Sequence, residues 1–168
     1  MKKALLPITI LLLAACTKHD ETVNTLNASD MRFVTEASLA NGASIAAAQM
    51  VAAKTTNPAI ASFSQATITL RTEAQEALSS VADELGMTIR DSIDGAGTAL
   101  LARLQTLEGH RLDTAYLNAE VRAAQTALSL YQAEFNDAGH MSVKGYTNRY
   151  LTALTNHLLK ADSLRRHL

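Results

Sequence analysis

The chain is short of cysteine, proline and aromatic residues, and each shortage narrows what it can be. Among 168 residues Cys16 is the one cysteine, so no intrachain disulfide can form and no cysteine pair can hold a metal. The prolines are Pro7 and Pro58, tryptophan is absent, and aromatics make up 4%. Strands favour β-branched and aromatic side chains, whereas an Ala- and Leu-rich chain with few breakers favours helices. Neither sign of charge dominates, with 15 basic residues against 16 acidic. Binding to phosphate backbones relies on clustered Lys and Arg that release counterions, and this charge pattern excludes nucleic acid as a partner.

Long apolar runs are also scarce. The one candidate, Ala4 to Ala15, is twelve residues long and contains Pro7. At about 1.5 Å per residue it would reach about 18 Å, short of a hydrocarbon core of about 30 Å. Lys2 and Lys3 precede it and Leu13-Ala14-Ala15-Cys16 closes it. This is the pattern of a lipoprotein signal peptide over residues 1–15, with Cys16 as the lipidated N-terminus and the means of membrane attachment. The alternative is an ordinary secreted protein whose cysteine falls near the cut by chance. A lipidated sulfur serves neither as nucleophile nor as metal ligand. Loss of Lys2 and Lys3 leaves 13 basic against 16 acidic residues, a net charge of −3, on a mature chain of 153 residues, enough for one domain.

Residues 16–28 are polar and without apolar period, and read as a flexible tether. Thr17 stands where an aspartate would resemble an inner-membrane retention signal. The expected place is therefore the bacterial cell envelope, at the outer membrane with its periplasmic face favoured. Asp20 and Glu21 resemble a surface-export signal and keep the outer face as the alternative. A protein partner in the envelope is compatible with this placement, and the sequence does not identify one.

From residue 29 to 168 the spacing predicts an all-α domain. Phe33, Ala37, Ala40, Ser44, Ala47 and Val51 recur at three and four residues, as one face of a helix capped by Ser29 or Asp30. Asn57-Pro58 starts a second helix, whose stripe is Ile60, Phe63, Thr67, Leu70, Ala74, Ala77, Val81 and Leu85, with Gly86 as its left-handed stop. Residues 87–97 form a connector. A short helix from about Thr98 to Glu108 ends at Gly109. Asp113 is expected to cap a long helix with Leu117, Val121, Ala124, Leu128, Tyr131 and Phe135 inward. Ser142 opens the last, with Tyr146, Tyr150, Ala153, His157 and Leu164. Such stripes close by packing on one another, which gives an up-down four-helix bundle with a short extra helix.

Asp30 to Phe33, Asn57 to Ile60 with Phe63, Gly109 to Tyr116, and Asn156-His157-Leu158 with Ala161 together resemble the exported bacterial domain of unknown function family 4142, over about residues 30–165. The resemblance implies a ferritin-like bundle outside the cytoplasm, without an established common activity. It also implies inward histidines at the places of Arg71, Ala124 and His157 and an acid near Ile45. Here only His157 remains. A guanidinium cannot coordinate a cation and alanine has no donor, so a family metal site is expected to be lost. Arg71 and His157 are left as a candidate polar core site.

Other chemistry finds no support. Di-iron bundles use Glu-x-x-His pairs, and the chain has none. His19, His110, His140 and His167 fall in tether, connector, turn and terminus. Glu73, Glu76, Glu120 and Glu134 are expected to be exposed helix carboxylates rather than an acid-base pair. There is no Gly-x-Ser-x-Gly, and Gly95-Ala96-Gly97 lacks the strand and further glycine of a phosphate loop. The expectation is a non-enzymatic binding or structural accessory without catalytic residues, cofactor or metal. The alternative is a ferritin-like metal-binding or redox protein.

Overall fold

The computed structural model describes residues 24–89 and 92–168. The expected signal peptide, Cys16 and the tether through residue 23 lie outside the described residues. Five helices follow one another: α1 Ala28–Lys54, α2 Pro58–Glu84, α3 Gly95–Gln105, α4 Gly109–Asp137 and α5 Met141–Arg166. No strand occurs among the described residues.

Local chemistry sets the helix ends. Asn27, not Ser29 or Asp30, caps α1: its Oδ1 accepts from the Asp30 amide at 2.9 Å while Asp30 Oδ2 accepts from the Asn27 amide at 2.8 Å. Pro58 occupies the first turn of α2, and Asn57 Oδ1 accepts from the Ala59 amide at 3.0 Å. Gly86 leaves α2 at φ +67°, a left-handed conformation that glycine adopts without cost to a side chain. Asp94 caps α3 by accepting from the Gly97 amide at 2.7 Å, so that helix begins three residues before Thr98. Asp113 is not a cap. It lies inside α4, buried, and accepts from Thr55 Oγ1 at 2.7 Å, which ties the start of α4 to the end of α1.

Contacts at the ends fix the directions of the four long helices. The start of α1 meets the end of α4 through Ser29 Oγ and Glu134 Oε2 at 2.6 Å. The end of α2 meets the start of α5 through Ser142 Oγ and Glu84 Oε1 at 2.6 Å. Helices α2 and α4 therefore run the same way, and strict up-down alternation gives way to one crossover. Its path runs outside α1. A β-carbon at Gly42 would stand 3.0 Å from the Ser92 carbonyl oxygen, and one at Gly97 would stand 3.0 Å from the Ala43 β-carbon. At the far end Lys54 Nζ donates to the Gln105 carbonyl at 2.7 Å. Two glycines thus let the crossover lie close enough to serve as a fifth layer.

The core has two apolar parts. One gathers Phe33, Leu78, Tyr131, Val143, Tyr146 and Tyr150. The other gathers Val51, Ile60, Phe63, Leu104, Leu112 and Leu117. The inward faces are rotated from the expected stripes. In α2 the buried residues after Thr67 are Arg71, Ala74, Leu78 and Ala82, with Leu70, Ala77, Val81 and Leu85 half-buried beside them. In α1, Asn41 replaces Ala40, which is exposed. In each case a polar side chain with an interhelical partner takes the central position.

Residues 24–27, the end of the expected tether, are pinned rather than loose. Asn24 Oδ1 accepts from the Met141 amide at 2.7 Å, and the Thr25 amide donates to the Gly139 carbonyl at 3.2 Å. Beneath them Asp30 and Glu134 are buried, with Glu134 Oε1 lacking a partner. Burial pushes the Glu134 carboxyl above its ordinary value of 4.5, the Asp30 hydrogen bond and charge push the same way, and the Ser29 hydrogen bond opposes them. An acid whose pKa is raised on folding holds its proton more tightly in the folded state. Its contribution is whole below pH 4.5 and is lost as pH rises through the raised value. Glu134→Gln should therefore melt above the parent at neutral pH and lose that advantage toward pH 4.5. Parallel melting curves across this range would contradict the assignment.

Candidate functional site

Between the two apolar parts lies a belt of buried polar side chains to which every long helix contributes. Glu120 of α4 is 1% exposed and receives two bonds. Its Oε2 is 3.0 Å from His157 Nε2 of α5, and its Oε1 accepts from Ser44 Oγ of α1 at 3.2 Å. With Glu120 ionised, and so only an acceptor, the proton resides on Nε2. Helix α2 completes the arrangement: the Phe63 ring stacks on the His157 ring, centroids 4.9 Å apart and planes 20° apart.

A second string joins α1 and α2. Arg71, 1% exposed, donates from Nη1 to Asn41 Oδ1 at 3.3 Å, while its Nε has no partner. Asn41 Nδ2 lies 3.4 Å from Gln75 Oε1, and Gln75 Nε2 donates to Ser38 Oγ at 2.8 Å. Tyrosines close the belt. Tyr116 Oη donates to Thr67 Oγ1 at 3.3 Å, Tyr131 and Tyr146 share a hydrogen bond of 3.0 Å, and Tyr146 Oη lies 3.1 Å from the Ala74 carbonyl. Burial pushes the Tyr116 phenol up, and the Glu120 charge adds to this. Tyr131 and Tyr146 are also raised chiefly by burial. These phenols are hydrogen-bond donors, not bases.

Arg71 and His157, paired in the sequence reading as one polar core site, are both buried but have different partners. No hydrogen bond joins them. Both strings bear on Tyr116, whose hydroxyl Glu120 and Arg71 affect with opposite sign. The sequence reading missed Glu120 as a core residue, and Glu134 likewise. Both are buried rather than exposed. The signal was there: Tyr116, Glu120, Ala124, Ala127 and Tyr131 follow three-four spacing, and all are buried.

Glu120 and His157 are a carboxylate and an imidazole on facing helices, donor types that bundles use for metals. Among the described residues no three His, Cys, Asp or Glu side chains gather around one point. Ala124, one turn from Glu120, supplies no donor. What remains is a buried pair whose members satisfy each other. Removing Glu120 leaves the buried imidazole N–H without its acceptor, at a cost of about 1–3 kcal/mol, whereas replacing both partners by apolar groups costs less. Glu120→Ala should lower unfolding free energy by about that amount, while Glu120→Leu with His157→Leu should lose less than Glu120→Ala alone. Urea unfolding of the variants decides. A double variant that loses as much as Glu120→Ala or more would show that the pair is uncoupled.

A groove of about 370 Å³ between α1, α3 and α4 reaches Glu120 but not His157. Its walls include Leu39, Ala43, Leu100 and Leu130, and Ser44 and Glu120 lie at its polar floor.

Residues 15–164 match the model of a domain of unknown function, DUF4142. The chain belongs to that family. A crystal structure of a DUF305 fragment from Deinococcus radiodurans has the same fold, with a TM-score of 0.76 and 12% identity over 85% of this chain and 99% of that one. At that identity the likeness concerns the fold. No curated protein matches the sequence.

Proposed function

We propose that this member of the DUF4142 family is a lipid-anchored bundle of the bacterial cell envelope that acts by binding, without catalysis. The observation that carries the second half is the closed Ser44–Glu120–His157 string. The acid and the imidazole best placed for proton transfer are bonded to each other at 3.0 Å and capped by Phe63. His157 is stacked under Phe63 and does not line the groove, so its ring proton is not presented to a substrate as general acid-base catalysis needs. The open groove above Glu120 supplies the surface for binding. The first half stands on Leu13-Ala14-Ala15-Cys16 behind two lysines. No helix among the described residues is long and apolar enough to cross a membrane, and on this reading attachment is by lipid at Cys16. Several acyl chains would hold it firmly, at about 0.8 kcal/mol per buried methylene. Thr17 after the cysteine favours the outer membrane and its periplasmic face.

The second reading, a ferritin-like metal or redox protein, draws on the single-crossover topology and on the Glu120 and His157 donors. Two donors without a third give weak, unselective affinity, since tight sites need several ligands placed together.

One set of preparations tests both halves. The parent should fractionate with membranes and Cys16→Ser should be released unprocessed or soluble. Tag-free parent should purify without stoichiometric iron, zinc or copper. Cys16→Ser that is processed normally and still fractionates with membranes would overturn the anchor, and one metal per chain lost on His157→Ala would promote the metalloprotein reading.

A further inference from the structure

We propose that the groove between α1, α3 and α4 is a binding site for a small organic ammonium ion carrying an apolar body. The inference rests on the reading of the bundle as a binding domain and names its ligand class. Three observations carry it. The first is size: about 370 Å³ lies within the range of small-molecule sites, about 300–1,000 Å³. The second is the walls, where Leu39, Leu100 and Leu130 with intervening alanines offer apolar surface but no ring of polar groups. The third is charge. Glu36, Asp94 and Glu120 are among the lining residues, and no Lys, Arg or His is among them.

The polar atoms at the floor select a donor. Glu120 is 1% exposed, and a carboxylate has about four acceptor sites, of which His157 and Ser44 fill two. Ser44 gives its hydroxyl hydrogen to Glu120, which leaves the oxygen lone pairs as acceptors. Asp94 is held with its carboxylate on the Gly97 amide at 2.7 Å, at the start of α3. A ligand with N–H donors and positive charge meets acceptors and negative charge, while an anion meets three carboxylates. Apolar walls also lower the local dielectric, so the attraction to Glu120 is less screened than at an open surface. An amine head directed toward Ser44 and Glu120, with its hydrocarbon body along Leu39, Leu100 and Leu130, satisfies both features at once.

The test uses the full-length protein and three probes of one shape: 2-phenylethylamine, cationic at neutral pH, 2-phenylethanol, which is neutral, and phenylacetate, which is anionic. Titration followed by amide chemical shifts should show the amine perturbing the Leu39, Leu100 and Leu130 signals and binding at least tenfold tighter than the alcohol, with phenylacetate weakest. Ala123, exposed on the groove wall, can be enlarged without touching the core. Ala123→Trp should abolish amine binding with the melting temperature unchanged, and Glu120→Gln should weaken it at least tenfold. Equal binding of amine and alcohol would overturn the cation preference while leaving the bundle a binder. Absence of amine binding, or amine binding that survives Ala123→Trp, would overturn the site itself, and neither result would touch the membrane and metal assays on which the broader reading depends.

Discussion

The hydrogen bond between Glu120 and His157 is the constraint around which the rest of the molecule is arranged. A carboxylate and an imidazole taken out of water would cost several kcal/mol if left alone, so each requires the other in one geometry. That geometry fixes α4 against α5. Ser44 adds α1 and Phe63 adds α2, so the four long helices agree on a single register at this level of the bundle. Apolar faces rich in alanine slide with little penalty, because one small residue resembles the next. A belt of directed hydrogen bonds does not slide. Arg71 with Asn41, and Tyr116 with Thr67, repeat the same logic one turn away.

The crossover follows from the same packing. Once α2 and α4 run in one direction, the chain between them must climb the bundle, and it does so against α1 because Gly42 and Gly97 leave room. That path places α3 beside α4 and leaves the groove whose floor is Ser44 and Glu120. The belt therefore has two consequences of different kind. It specifies how the helices pair, and it sets a carboxylate beneath an apolar cleft. A charge that stabilises nothing by itself becomes useful once it is held and partly shielded.

Much of this was legible from spacing. Five helices, the Asn57-Pro58 start, the Gly86 stop and the core positions Phe33, Phe63 and Tyr146 follow from periodicity and terminal chemistry. The misreadings share one cause. Ranking positions by hydrophobicity favoured Ala40 over Asn41, Leu70 over Arg71 and Val121 alone over Glu120, because a polar residue at an inward position gives no apolar signal. Its burial is decided by a partner more than thirty residues away in sequence for Asn41 with Gln75, and for Glu120 with His157. Asp113 read as a cap for a similar reason, since its actual partner, Thr55, belongs to another helix. Direction of packing was likewise hidden. Stripes show which faces are inward and say nothing about whether α2 and α4 run together.

The central claim is that the buried His157 imidazole is locked to Glu120, and the imidazole proton reports on this directly. A proton–nitrogen correlation spectrum of ring-labelled protein at neutral pH should show one of the five histidines with a slowly exchanging Nε2–H, absent in Glu120→Leu and His157→Phe. If all histidine ring protons exchange rapidly with water, the belt is open to solvent and the structural role assigned to this pair is wrong.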